Sequence, residues 1–89
     1  MQLFPKIHEL ILKQPYPTTT IRFSLPATNQ VSLKIYNIAG QLITTLVDQQ
    51  LSQGYHEFQW EAVNLPSGVY FSTLEAGSIR ITKKMILAK

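Results

Sequence analysis

The stretch from Thr19 to Gly40, TTIRFSLPATNQVSLKIYNIAG, decides the fold. Ile21, Phe23 and Leu25 alternate with Arg22 and Ser24, and Val31, Leu33 and Ile35 alternate with Ser32, Lys34 and Tyr36. A period of two places each apolar set on one face of an extended strand, because successive strand side chains point to opposite faces. Pro26 ends the first run, since it has no N–H to give to a ladder, and Ala27 to Gln30 reads as a polar turn. Asn37-Ile38-Ala39-Gly40 closes the second run, where Gly40 can supply the positive φ of a tight reversal.

Downstream the same signal recurs. Gln41 to Val47 is rich in β-branched residues but less clean in period, and is expected to be a strand; Asp48 to Gly54, polar apart from Leu51, reads as a loop. Tyr55 to Ala62 alternates again, with His56, Phe58 and Trp60 on one face and Tyr55, Glu57, Gln59 and Glu61 on the other. The turn cluster Asn64-Leu65-Pro66-Ser67-Gly68 leads into a strand over Val69 to Glu75, and Ala76-Gly77-Ser78 closes a hairpin onto a last strand, Ile79 to Leu87. There Ile79, Ile81, Met85 and Leu87 share a parity that Lys83 interrupts. Six to seven short strands without a helical interlude predict an all-β chain, most economically a two-layer antiparallel β-sandwich.

Upstream the character changes. Leu3, Phe4, Ile7, Leu10 and Ile11 recur at helical spacing, so residues 1–14 read either as a short amphipathic helix stopped by Pro15 and Pro17 or as a partly disordered leader with an apolar first strand. The leader is preferred, because an isolated helix this short is marginal unless something packs on it. The division is a leader over 1–14 and one β domain over 15–89.

Composition bounds what such a domain can do. The chain has 89 residues, of which 45% are hydrophobic and 15% charged, which disfavours disorder. A chain of this size buries only about 60–65% of its unfolded surface, so a deep, walled active-site cavity is not expected. Its apolar runs are too short for a membrane-spanning helix. The opening MQLFPKIHELILK scatters Lys6, His8, Glu9 and Lys13 through its apolar residues with no small-residue cleavage site after it. No secretory signal is read there, and taken alone the chain is expected to stay where it is made. The absence of Cys excludes disulfides, thiolate zinc and thiol nucleophiles, while leaving the compartment open. The net charge of +3 divides into a mildly basic front, an acidic middle (Asp48, Glu57, Glu61, Glu75) and a basic end (Arg80, Lys83, Lys84, Lys89). Bases so few, beside aromatics at core-like spacing, do not suggest a nucleic-acid partner.

Catalytic chemistry finds no foothold. His8 and His56 lie far apart, and neither has a second His or Cys at ligand spacing, so no metal is expected. His56, alternating with Phe58 and Trp60, reads as a partly buried histidine bonded to backbone rather than a general base. Glu57 and Glu61 share a strand's outer face and read as solvated. Gly54, Gly68 and Gly77 fall at separate turns and form no phosphate cradle. No catalytic residue, cofactor or small-molecule substrate is expected, and the chain is not read as an enzyme. Tyr70, two residues after Gly68 at a strand start, suits a ring at the core edge whose hydroxyl bonds backbone across the corner. Lys83 and Lys84 carry two readings, protection of a terminal strand against strand addition and a basic tag that faces a partner.

The strings TTTIRFSLP (18–26), VSLKIYNIAGQLITTLVD (31–48), Gly54-Tyr55-His56-Glu57, NLPSGVYF (64–71) and TKKMIL (82–87), in this order, resemble the type A C-terminal sorting domain of the type IX (Por) secretion system. That family occurs on exported proteins of Bacteroidetes and related bacteria, and it is similar to a domain of the flagellar hook-capping protein. The resemblance covers residues 15–89. It implies an immunoglobulin-like fold and a non-catalytic address at the C-terminus of a larger precursor, read by an outer-membrane translocon after export to the periplasm. It further implies removal by a sortase-like peptidase and delivery to the cell surface or medium. On that pattern Lys83, Lys84 and Met85 match the C-terminal signal, Gly54 and His56 the Gly-x-His, and Gly68 and Tyr70 the Gly-x-Tyr; Gly40 and Trp60 are expected to be structural. The chain departs from the family at its opening, where Gln14-Pro15-Tyr16-Pro17 stands for an Asn-Pro-Phe-Asn-Pro-like segment. The other function considered is an immunoglobulin-like assembly module of hook-cap or adhesin type.

Overall fold

Alternation in the sequence becomes two sheets in a computed structural model of the chain, which describes residues 6–12 and 18–88. The strands are β1 (Lys6–Leu12), β2 (Thr18–Leu25), β3 (Asn29–Asn37), β4 (Leu42–Leu51), β5 (Gly54–Glu61), β6 (Gly68–Ala76) and β7 (Ile79–Leu87). One sheet has the order β1-β2-β5 and the other β4-β3-β6-β7, with every pairing antiparallel. The chain crosses between sheets after β2, β4 and β5 and makes hairpins within a sheet at β3-β4 and β6-β7. This is the immunoglobulin-like antiparallel sandwich the sequence predicts.

The core lies between the sheets, where the predicted apolar parities meet. Ile21, Phe23 and Leu25 from β2 and Val31, Leu33 and Ile35 from β3 are all buried, joined by Trp60, Tyr70, Leu74, Met85 and Leu87. Phe23 stacks on Phe58, ring centroids 5.9 Å apart. Trp60 of one sheet meets Tyr70 of the other edge to face at 5.3 Å, a geometry in which a positive ring edge meets a negative face.

One expectation is corrected and one choice between readings is made. Asp48 to Leu51, read as part of a loop, continues β4: Asp48 opposes Ser32 and Leu51 opposes Asn29, so only Ser52 and Gln53 remain between β4 and β5. The polar run misled because β4 is an edge strand, where backbone pairing and not burial selects the strand. The untidy period of Gln41 to Val47 has the same origin. Register shifts skip Leu46 and Ile43, and each such bulge reverses the alternation; both residues pack against the core. At the other end, Lys6–Leu12 is a strand, as in the preferred of the two readings of residues 1–14, and not the helix weighed beside it. A lone short helix gains little, whereas the edge of β2 offers a backbone ladder to pair with. The altered opening Gln14-Pro15-Tyr16-Pro17 lies outside the described residues.

Candidate recognition face

The residues expected to be structural sit at turns, at strand starts and in the core. In the β3-β4 turn Gly40 has φ +82°, and its amide donates to the Asn37 carbonyl at 3.0 Å. Asn37 organises this turn, its Oδ1 accepting from the amides of Ala39 at 2.9 Å and Gln41 at 3.0 Å. Gly54, with φ +122°, opens β5 where the chain crosses between sheets. His56 Nε2 lies 2.8 Å from the Ser52 carbonyl oxygen; a carbonyl only accepts, so the ring donates and ties β5 to that crossing. Gly68 opens β6, and two residues on the Tyr70 hydroxyl donates to the Pro66 carbonyl at 2.7 Å. This is the corner bond anticipated for Tyr70, linking the β5-β6 connection to the core. Replacing Tyr70 by Phe keeps the ring against Trp60 and leaves the Pro66 carbonyl without that donor. The expected cost is about 1 kcal/mol, read as a fall in Tm of roughly 4–8 °C by differential scanning calorimetry.

The three residues matched to the C-terminal signal separate in space. Met85 is buried, opposite Tyr70 in the ladder, so a partner meeting the folded domain does not reach its side chain. Lys83 opposes Ser72, a core-facing position, yet is exposed because β7 is an edge strand. Lys84 opposes Phe71 on the outer side of the same sheet and is also exposed.

That outer side holds what parity counting along single strands did not reveal. Directly opposed residues share a face of an antiparallel sheet, and the registers line up Leu42, Tyr36, Phe71 and Lys84 in one row across β4, β3, β6 and β7. The next β6-β7 pair is Val69 and Ile86. Leu42 is 53% and Ile86 58% exposed. The band continues to Ile38, 74% exposed, beside an apolar cleft of about 240 Å³ that Ile38, Ile43, Leu65, Pro66 and Val69 help to line. Further along, Lys34 opposes Thr73, and Asp48, Ser32, Glu75 and Arg80 form a polar border.

The outer side of the other sheet contrasts with it. On β5 it presents Tyr55, Glu57, Gln59 and Glu61, all exposed, and on β2 it presents Arg22, whose Nη2 lies 2.8 Å from Glu57 Oε2. Glu57 is therefore ion-paired and not merely solvated, although an exposed pair of this kind contributes at most about 1 kcal/mol. One outer face is polar apart from Tyr55 and mainly acidic along β5, while the other joins an apolar band to the exposed Lys84. Scattered exposed apolar residues are ordinary, but a contiguous apolar band rimmed by polar groups marks an interaction surface. The signal in the sequence was the outward parity of Tyr36, Val69, Phe71 and Ile86; only the register shows that these positions meet.

Among the described residues no three His, Cys, Asp or Glu side chains gather as a metal site, and no helix is long and apolar enough to cross a membrane. Residues 15–88 match the protein family described as "Secretion system C-terminal sorting domain". No curated protein matches the chain.

Proposed function

We propose that this chain, which belongs to the family of type IX secretion system C-terminal sorting domains, is a non-catalytic address that directs an exported precursor through the outer-membrane translocon to the cell surface or medium. The machinery reads it through the outer face of the four-stranded sheet, and a sortase-like peptidase then removes it. The observation that carries this reading is the row Leu42, Tyr36, Phe71 and Lys84, extended by Val69 and Ile86. It is an apolar band, exposed at Leu42 and Ile86 and half-buried at Tyr36, Val69 and Phe71, with a cation at its end, on a fold whose other described outer face is polar apart from Tyr55. Lys84 supplies charge at the rim of that band, and Lys83 guards the β7 edge while standing within reach of the same partner.

A periplasmic reporter fused to residues 1–89 in a host with a type IX system is expected to reach the cell surface. The fusion carrying Lys83→Ala with Lys84→Ala is expected to do so several-fold less, with unchanged thermal stability, since both side chains are exposed. Equal export of the double variant removes the lysines from recognition, and retention of the intact fusion in the periplasm overturns the reading. The same apolar band would serve an assembly module by joining copies of the domain. A strictly monomeric species in light scattering counts against that alternative.

A further inference from the structure

With β1 set aside, four strands end a sheet, and three of them carry features that discourage another strand from adding to them. β4 has two bulges and the polar run Asp48-Gln49-Gln50, β5 has Glu57 and Glu61, and β7 has Arg80, Lys83 and Lys84, with Lys83 at a core-facing position. Charges, bulges and inward-pointing lysines are the usual protections of a sheet edge. β2 has none of them along Thr19-Thr20-Ile21, which is buried on both faces. Its one charge is Arg22. A strand with this composition is built to lie between two neighbours, and the family match, which begins at residue 15, supplies only β5. The second neighbour is β1, from the segment ahead of the match.

We propose that the edge of β2 away from β5 is a strand-acceptor site, filled in this chain by residues 6–12 and able to take in their place an extended peptide of the same pattern supplied from outside. Strand addition of this kind takes its affinity from main-chain hydrogen bonds and its selectivity from alternate side-chain positions. The register states the pattern. Ile7, Leu10 and Leu12 stand opposite Phe23, Ile21 and Thr19, and Glu9 stands opposite Arg22, which in turn opposes Glu57 on β5. The site therefore selects apolar residues at the positions facing Phe23, Ile21 and Thr19 and a carboxylate at the position facing Arg22. The ladder is short and interrupted by the register shift between Ile7 and Glu9, and in its own sheet β1 pairs with β2 alone, features that suit an exchangeable occupant. The inference does not depend on what the recognition face binds.

The test uses the whole chain with Leu10→Pro and Ile11→Pro together, so that whichever of the two amides joins the ladder is removed. Hydrogen exchange is expected to show the edge-facing β2 amides losing protection at least tenfold while β3 and β6 keep theirs. A synthetic peptide of residues 6–13 restores that protection, and the same peptide with Glu9→Lys binds about fivefold more weakly, as expected for setting a like charge at the register position opposite Arg22. The proposal is overturned if β2 stays protected in the double variant, if the peptide does not restore protection, or if the variant unfolds throughout, which would make β1 an integral strand. Equal affinity of the two peptides overturns the selectivity assigned to Arg22.

Discussion

Phe23→Ala lowers the melting temperature by at least about 15 °C, the largest single-residue effect expected on stability. Among the described residues Phe23 is the largest fully buried side chain, with no exposed surface. It stacks on Phe58 at 5.9 Å and lies 5.7 Å from the His56 ring. Truncation removes the transfer free energy of a benzyl group and leaves a cavity that a sheet fixed by ladders on both sides cannot collapse to fill. Such changes cost about 3–5 kcal/mol, against a total of roughly 4–13 kcal/mol for a domain of this length. Calorimetry or urea denaturation measures the loss. A fall of less than about 5 °C would mean that the β2-β5 side of the core is not packed as described. The companion Phe23→Leu, which keeps most of the volume, is expected to lose less than half as much.

Charging the recognition face produces the largest expected effect on function. Phe71→Asp with Ile86→Asp puts two carboxylates into the apolar band, beside Lys84. Burying them against a partner carries a desolvation cost of several kcal/mol unless each is paired, so export of a fused reporter is expected to fall at least tenfold. Ile86 is largely exposed and Phe71 half-buried on an outer face, so the folded state loses far less than it does in Phe23→Ala. Tyr55→Asp with Gln59→Asp makes an equally large change on the outer side of β5 and is expected to leave export within about twofold of the parent. A circular dichroism melt of each fusion partner separates loss of recognition from loss of fold.

How much of this was legible beforehand depended on whether burial or pairing set the pattern. Strands β2, β3, β5 and β6 each place one face on the core, and their alternation survived in the sequence from Ile21 to Leu74. Gly40 and Tyr70 were legible because a tight reversal and a corner each demand a particular residue type. The end of β4 was not, since Asp48, Gln49 and Gln50 belong to an edge that pairs with Gln30, Val31 and Ser32 through the backbone ladder and one exposed side-chain bond, Gln30 Nε2 to Asp48 Oδ1 at 3.2 Å, and not through burial. β1 was ambiguous for a related reason: Ile7, Leu10 and Ile11 fit a helix as well as a strand, and the edge of β2 decides between them. The recognition face was the least legible feature. Its members come from four strands far apart in sequence, and each taken alone is an ordinary outward residue. Met85, matched to the C-terminal signal together with two lysines, proves to be a core residue, so a string of adjacent letters divides into a packing element and two surface charges.

The central claim, that the chain is an address read through the outer face of its four-stranded sheet, is tested most directly by site-specific photocrosslinking during export. A photoreactive amino acid is placed at Ile86 in one fusion and at Gln59 in another, both exposed and on opposite outer faces. The account predicts a crosslink from position 86 to an outer-membrane component of the secretion machinery and none from position 59. Equal crosslinking from both positions, or a product from position 86 that contains only a second copy of the chain, would contradict it.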